Sequence, residues 1–190
     1  MKRRLQHIFP ILCLVLVLAI ACTNLPGNSN SDKNYMSIRG ITQGTTYSIK
    51  YNSPDSTNYH PQIKRILETI DSSMSTYREN SIISRINRND PSVKVDEHFR
   101  EVYQTAQKVS SMTDGAFDIT VAPLVNAWGF GFTEKKDLDN SRIDSLLRFV
   151  GYETLRLADG TVYKEDERTM IDMNAIAKGY TVDEVSEYLE

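Results

Sequence analysis

Residues 153–185 read ETLRLADGTVYKEDERTMIDMNAIAKGYTVDEV, and they carry the clearest signals of the fold class. ETLRL and TVYK are short strand-type segments on either side of Asp159-Gly160, a dipeptide that favours a tight hairpin turn. TMIDM follows as a third strand-type segment. Asn174 is then suited to cap a helix that begins at Ala175. Strands and a helix within so short a stretch favour an α+β fold.

The preceding part of the chain predicts the same mixture of elements. Residues 35–41 and 45–51 predict two strands that form a hairpin around Gly44. Three amphipathic helices follow, each indicated by apolar residues at helical spacing. The apolar positions are Ile63, Ile66, Leu67, Ile70 and Met74 behind Pro61; Phe99, Val102, Tyr103, Ala106, Val109 and Met112 before Gly115; and Ile143, Leu146, Leu147 and Val150. We therefore expect strand pairs packed against several helices. We also expect the domain to be incomplete at its C-terminal end, because the last helix still runs at Glu190.

The N-terminal segment predicts export and a lipid anchor. The basic start KRR precedes an apolar run at residues 8–21, which is shorter than the roughly 20 residues of a membrane-spanning helix. The small residues before Cys22 make LAIAC similar to the signal of bacterial lipoproteins, in which this cysteine is acylated. Residues 1–21 would then be the signal, 22–34 the lipidated cysteine and a polar tether, and 35–190 the domain. We expect an exported lipoprotein, anchored to a membrane of the bacterial envelope and facing the periplasm.

Charge and cysteine content exclude several classes of function. The chain contains 22 basic and 25 acidic residues, and removal of residues 1–21 leaves 19 basic residues, so the formal charge becomes −6. The basic surface of a nucleic-acid-binding domain is therefore absent, and we expect no nucleic-acid partner. Cys13 would leave with the signal and Cys22 would carry lipid. No thiol would then remain for a disulfide, a metal site or a nucleophile.

Four segments are candidate parts of one site: QGTTYSIKY (43–51), MSTYRENSIISRIN (74–87), GAFDITVAPLVNAWGFG (115–131) and IDMNAIAKGYTVDEV (171–185). The fourth has the clearest physical basis. The start of a helix offers unpaired N–H groups and a partial positive charge, and Lys178 adds a full charge in the first turn. We therefore expect a phosphate or pyrophosphate to bind there. Asp172, at a strand end, could hydrogen-bond a sugar or base, or help to hold a divalent cation.

Each of these residues also has a structural interpretation. Asp172 could cap a turn while Lys178 is a solvated charge, and Tyr77 could be an edge residue whose hydroxyl faces water. Asp118 lies within an apolar run, where a buried carboxylate needs partners, and the N–H groups of a buried turn would suffice. The large apolar residues of that run are more typical of a core than of a cofactor slot: Phe117, Leu124, Trp128, Phe130 and Phe132. His60 and His98 are interpreted as structural. Taken singly, the residues predict an anion-binding helix start and an aromatic-rich wall, and they define no reaction.

Taken together and in this order, the four segments resemble the ApbE family, the FAD:protein FMN transferases, from about Ile38 to the end of the chain. The resemblance implies an ApbE-like, T-fold-related domain. It implies an Mg²⁺-dependent enzyme that transfers FMN from FAD to a threonine hydroxyl of an acceptor protein through a phosphoester bond and releases AMP. The implied partners are FAD, the membrane, and an acceptor such as a subunit of a sodium-translocating NADH:quinone reductase or Rnf complex.

The resemblance also implies roles for particular residues. Asp172 and Lys178 would be catalytic, by positioning and by stabilising the charge that develops on phosphoryl oxygen atoms. Ala175 would offer its backbone carbonyl to Mg²⁺. The residues that contact the cofactor would be Gln43, Tyr77, Ala116, Phe117, Asp118, Asp172 and Lys178. Gln43 stands where the family usually has methionine in an MGT segment. The family's other Mg²⁺ ligands belong to a later segment that these 190 residues do not contain.

Two alternatives to the transferase remain. The first is an FAD pyrophosphatase, in which water replaces the acceptor and the products are FMN and AMP. The second is a non-catalytic FAD-binding lipoprotein, which the missing Mg²⁺ ligands favour. Nothing in the residues themselves separates the transferase from the pyrophosphatase.

Overall fold

The computed structural model describes residues 34–131 and 138–190. The predicted signal, Cys22 and most of the predicted tether lie outside the described residues, as does Phe132. The elements, in chain order, are β1 (Tyr35–Thr42), β2 (Thr45–Asn52), α1 (His60–Met74), α2 (Ile82–Asn87), α3 (Glu97–Met112), α4 (Ala122–Ala127), α5 (Asn140–Leu147), a short 3₁₀ helix (Tyr152–Thr154), β3 (Leu155–Ala158), β4 (Thr161–Lys164) and α6 (Asn174–Leu189). Within the described ranges, no helix is both long and apolar enough to cross a membrane.

The strands form two separate two-stranded sheets, which confirms the predicted strand pairs. Strands β3 and β4 are antiparallel, and Asp159 and Gly160 connect them with φ values of 52° and 71°. Gln43 and Gly44 connect β1 to β2 with φ values of 50° and 70°. Positive φ at both turn residues is typical of the tightest hairpin connection, whose twist matches that of the strands.

Asn34, Tyr35 and Asn52–Thr57 form a small unit of their own. In it the backbone N–H of Ser53 donates to the carbonyl of Asn34 at 2.8 Å. The Asp55 carboxylate accepts hydrogen bonds from the Thr57 hydroxyl at 2.6 Å and the Ser53 hydroxyl at 3.0 Å. The bonds from Thr57 and then Ser53 lower the pKa of Asp55 below its ordinary value.

The larger unit contains the core, and the predicted apolar helix faces form most of it. Helix α1 contacts α2, α3 and α6, and α3 also contacts α6. Residues buried completely include Ile70, Ile83, Phe99, Ile171 and Met173. A second cluster packs the β1–β2 hairpin against α1 and α6 through Ile38, Tyr51, Ile63, Leu67 and Val185. Burial of such side chains stabilises the fold by about 1.5–3 kcal/mol each.

Some sequence expectations were wrong. TMIDM is not a strand, since only Met170 within it makes an isolated parallel bridge, to Val121. Asn174 is the first residue of α6 rather than its cap. The predicted third helix ends at Leu147, and none of its residues is buried. Met112 is 75% exposed, because α3 ends there. The six-residue helices α2 and α4 were not predicted, since they are too short to show helical periodicity.

Candidate functional site

Asp172 lies in the extended segment that leads into α6. Its backbone N–H donates to the carbonyl of Ile119 at 2.7 Å, which attaches this segment to the one that follows Asp118. Its carboxylate Oδ1 accepts the backbone N–H of Asn174 at 2.7 Å. The structural interpretation of Asp172 as a cap of this turn is therefore confirmed, and the bond to Asn174 uses one of the two carboxylate oxygen atoms.

The first turn of α6 has fewer open N–H groups than predicted. The N–H groups of Ile176 and Ala177 both donate to the carbonyl of Met173, at 3.0 and 2.8 Å. Asp172 accepts that of Asn174, so its carboxylate already lies at the positive end of the helix. A phosphate group near this carboxylate would need further positive charge. Lys178, just beyond the first turn, is exposed and can supply it.

Tyr77 and Asp172 line one small crevice of about 30 Å³, although they are 95 positions apart in the chain. The other lining residues are Thr76, Asn87, Ala122, Asn126, Phe130, Gly131, Met170, Ile171 and Asn174. The Asn174 side chain donates to the Thr76 hydroxyl at 3.4 Å across this crevice. A more open crevice of about 310 Å³ adjoins it and shares Thr76, Tyr77, Asn87 and Met170. The predicted grouping of Tyr77 with Asp172 is thus present in the structure.

Gln43 connects the β1–β2 turn to α6. Its Nε2 donates to the Thr181 hydroxyl at 2.6 Å, and Gln43, Lys178 and Thr181 line a groove of about 450 Å³. At the next residue, Gly44, a Cβ would lie 3.4 Å from Cε2 of Tyr77, so this turn approaches the tyrosine ring closely. The Gln43-Gly44 turn therefore lies between Tyr77 on one side and the Lys178 face of α6 on the other.

Asp118 is satisfied entirely by the protein. Its Oδ1 accepts the backbone N–H and the hydroxyl of Thr120, at 2.7 and 2.6 Å. Its Oδ2 accepts the backbone N–H of Tyr152 at 2.8 Å. Neither Asp118 nor its neighbours Ala116 and Phe117 line the crevices described above. The contact of these three residues with FAD remains a prediction.

The apolar run around α4 is more exposed than the sequence indicated. Trp128 is 45% exposed and Phe130 is 81% exposed, so the expectation that both belong to the core was wrong. Helix α4 has only two turns, and its buried residues are Ala122, Pro123 and Ala127. Phe130 follows the end of this helix and lines the same crevice as Tyr77. Two largely exposed aromatic rings, those of Tyr77 and Phe130, thus border the crevice that contains Asp172.

The described residues do not form a complete Mg²⁺ site. No group of three or more His, Cys, Asp or Glu residues within them could hold a metal ion. Ala175 is exposed in the first turn of α6, and Asp172 is the carboxylate that precedes it. Mg²⁺ requires near-octahedral coordination by oxygen atoms, several of them from water. One carbonyl and one carboxylate are suitable ligands but too few to hold the ion by themselves.

A polar network fixes α6 to α3 away from these crevices. The Tyr180 hydroxyl donates to Glu101 Oε2 at 2.8 Å and lies 2.8 Å from Nδ1 of His98. Since the single hydroxyl proton goes to the carboxylate, His98 Nδ1 must be the donor in the second bond. Burial, followed by the hydrogen bonds to Glu101 and Glu184, raises the pKa of Tyr180 far above its ordinary value. These contacts agree with the structural interpretation of His98.

Comparisons with known proteins give a consistent result. Residues 43–190 match the sequence profile of the ApbE family. The FAD:protein FMN transferase of Vibrio cholerae is 34% identical over 182 residues, which cover 92% of this chain and 54% of the relative. That of Haemophilus influenzae is 32% identical over 189 residues, with the same two coverages. This chain therefore spans about half the length of the curated relatives it matches.

Solved structures show the same likeness. The flavin transferase ApbE from Vibrio cholerae superposes with a TM-score of 0.77 at 34% identity, over 83% of this chain and 53% of that protein. The apo form of the flavinyl transferase ApbE from Pseudomonas stutzeri gives 0.73 at 30% identity, over 83% and 52%. The predicted ApbE-like fold is thus confirmed for the part that is covered.

Proposed function

This chain belongs to the ApbE family, and from that membership we propose that it binds FAD and transfers FMN to a threonine hydroxyl of an acceptor protein, releasing AMP. The observation that carries the proposal is the crevice formed by three distant segments. Thr76-Tyr77 follows α1, Phe130 follows α4, and Asp172 precedes α6. Each segment belongs to a motif that resembles the family, and all three meet at one place.

The residues of the crevice suit a dinucleotide with two ring systems. Tyr77 and Phe130 offer largely exposed aromatic rings on which a flat heterocycle can stack. The hydroxyl and amide groups of Thr76, Asn87 and Asn174 offer hydrogen bonds to ribityl, ribose or ring atoms. Lys178 would attract the pyrophosphate, which Asp172 alone would repel. In this arrangement FAD would extend from the Tyr77 crevice past the Gln43-Gly44 turn towards Lys178.

The proposed reaction is a displacement at phosphorus. The threonine oxygen forms a bond to the phosphorus atom of the FMN half, and the bond from that phosphorus to the oxygen bridging the two phosphates breaks. The bridging oxygen leaves with AMP, and the hydroxyl proton is released. Lys178 would stabilise the charge on the phosphoryl oxygen atoms, and Asp172 would help to position the reacting group.

Mg²⁺ dependence is also part of the proposal. A divalent cation would neutralise charge on the two phosphates. Among the residues that the structure describes, the Ala175 carbonyl and the Asp172 carboxylate would be oxygen donors to this cation, together with the phosphates and water.

We propose as well that the protein is an exported lipoprotein held to a membrane by acylated Cys22. In that location its acceptor would be a membrane redox protein, for which a subunit of a sodium-translocating NADH:quinone reductase or an Rnf complex is a reasonable candidate.

The transfer proposal is tested by incubating the protein with FAD, Mg²⁺ and an acceptor domain that carries a candidate threonine. We expect a fluorescent acceptor band in a denaturing gel and one AMP released for each flavin attached. An acceptor whose threonine is changed to valine is the matched control and should stay dark. FMN and AMP produced equally without acceptor would instead support the pyrophosphatase. FAD binding with no product would support the non-catalytic binder.

A further inference from the structure

Asn87 makes two hydrogen bonds to the backbone of one residue, Ile171, which is 84 positions further along the chain. Its Nδ2 donates to the Ile171 carbonyl at 2.8 Å, and its Oδ1 accepts the Ile171 N–H at 2.7 Å. The two contacts also fix the orientation of the amide, because exchanging Oδ1 and Nδ2 would place donor against donor and acceptor against acceptor.

This pair of bonds replaces the strand pairing that the sequence predicted for TMIDM. Met170 makes a single bridge to Val121, and Asp172 donates to the Ile119 carbonyl at 2.7 Å. Between these two contacts, Ile171 is completely buried, and the Asn87 side chain satisfies both of its backbone polar groups. The extended segment is therefore held on one side by the backbone of residues 119–121 and on the other side by one asparagine.

Asn87 also lines both crevices that contain Tyr77. It lies at the end of α2, whose N-cap residue Ser81 donates its hydroxyl to the Ser75 carbonyl at 2.7 Å, just before Thr76-Tyr77. Thus Asn87 connects the Tyr77 segment to the residue that precedes Asp172. A change at this side chain would alter the relative positions of the two groups that the FAD site requires.

We propose that Asn87 is a positioning residue of the FAD site, which sets Asp172 and the start of α6 relative to Tyr77 through its paired hydrogen bonds to Ile171. This inference rests on the proposed function. It differs from a purely structural role because it predicts weaker FAD binding by the folded variant, in addition to any loss of global stability. The chemistry of the pair also predicts that protonation restores the affinity of an aspartate variant, because the protonated acid has both a donor and an acceptor.

The test uses two substitutions of similar size. Asn87→Leu removes both bonds and leaves the Ile171 N–H and carbonyl unsatisfied, so we expect FAD affinity to fall about tenfold. Asn87→Asp keeps the acceptor but places an ionised oxygen against the Ile171 carbonyl. Protonation of that aspartate restores a donor, so its FAD affinity should recover towards wild type as the pH falls from about 8 to about 5. The FAD affinity of wild type, measured at each pH, corrects for changes that do not arise from residue 87.

Asn89→Asp is the matched control. Like Asn87, Asn89 donates a hydrogen bond from its Nδ2 to a backbone carbonyl, that of Glu167, at 3.1 Å. Asn89 is exposed, however, and does not line the Tyr77 crevices. The FAD affinity of Asn89→Asp should equal that of wild type at every pH. Hydrogen exchange at the Ile171 amide provides a readout without FAD, and this amide should exchange faster in Asn87→Leu and at wild-type rate in Asn89→Asp.

The outcomes separate the two proposals. Wild type that binds FAD, together with Asn87 variants that bind it equally well, would overturn the positioning role and leave the proposed function intact. Wild type that does not bind FAD would overturn the proposed function and this inference with it. If Asn87→Leu does not fold, Asn87→Asp decides, and an affinity that does not recover at low pH would contradict the inference.

Discussion

The carboxylate of Asp118 accepts the backbone N–H of Tyr152 at 2.8 Å, which joins two segments 34 residues apart. Its other oxygen accepts two bonds from Thr120, whose hydroxyl oxygen in turn accepts the N–H of Gly151 at 2.7 Å. Asp118 and Thr120 thus bind the backbone of the loop that leads from α5 to β3. This role explains why an acidic residue lies within an apolar run, independently of any ligand.

Asp118→Asn should therefore destabilise the fold. The amide NH₂ of the substituted side chain would face either the Tyr152 N–H or the donors of Thr120, so at least one bond is lost. We expect the free energy of unfolding to fall by about 1–3 kcal/mol, measured by urea denaturation followed by circular dichroism. Asp114→Asn, at an exposed position that precedes Gly115, is the control and should change stability little. Equal urea midpoints for both variants would contradict the assigned role of Asp118.

Lys178→Met should weaken FAD binding and leave the stability of the fold nearly unchanged. Lys178 is exposed, so its loss should change the free energy of unfolding by less than about 0.5 kcal/mol. Its charge would face the FAD pyrophosphate, so we expect FAD affinity to fall about tenfold, as for other hydrogen bonds to charged groups. Calorimetric titration measures the affinity. Lys108→Met, an exposed change on α3, should bind as wild type does, and Lys178→Met binding equally well would refute the role of Lys178.

The Tyr180 network predicts how stability changes at high pH. Burial and the neighbouring Glu101 and Glu184 raise the pKa of Tyr180 above its ordinary value of 10.0. The unfolded chain therefore loses this proton first. The contribution of Tyr180 to stability is complete below about pH 10 and is lost as the pH rises further. Tyr180→Phe should make the alkaline fall in unfolding free energy shallower, whereas Tyr163→Phe, an exposed change, should not. An unchanged slope in Tyr180→Phe would contradict the prediction.

Membrane attachment is expected to depend on Cys22. Each buried CH₂ of an acyl chain contributes about 0.8 kcal/mol to membrane binding, so Cys22→Ser should move the protein from the membrane to the soluble fraction. Cys13→Ser is the matched control, since that residue belongs to the predicted signal, and it should leave the protein in the membrane fraction. Immunoblots of separated fractions measure the distribution. Retention of Cys22→Ser on membranes would show that another feature anchors the protein.

Periodic sequence patterns predicted the fold well. The amphipathic faces of α1 and α3 and the two hairpins were all expected, because apolar spacing and turn residues such as Asp159-Gly160 are local signals. The segment around Met170 was expected to be a strand. Its partners are the backbone of residues 119–121 and the Asn87 side chain, and neither is visible from local sequence.

The site was only partly predictable, for a related reason. The motifs indicated Tyr77, Asp172 and Lys178 as candidate residues, and the structure places Tyr77 and Asp172 in one crevice. The two bonds from Asn87 to Ile171 were not predicted, because one amide residue at the end of a short helix gives no periodic or charge signal. The exposure of Phe130 was missed because hydrophobicity predicts burial, whereas exposure at a crevice depends on where α4 ends.

FAD binding at the Tyr77 crevice is tested most directly by titrating the protein with FAD and following the fluorescence of Trp128. This residue is the only tryptophan in the sequence and lies two positions from Phe130 at the crevice. We expect saturable quenching that AMP reverses by competition, and Lys178→Met should weaken the FAD affinity about tenfold. Quenching that rises linearly with FAD and is the same in Lys178→Met would contradict a built FAD site on this chain.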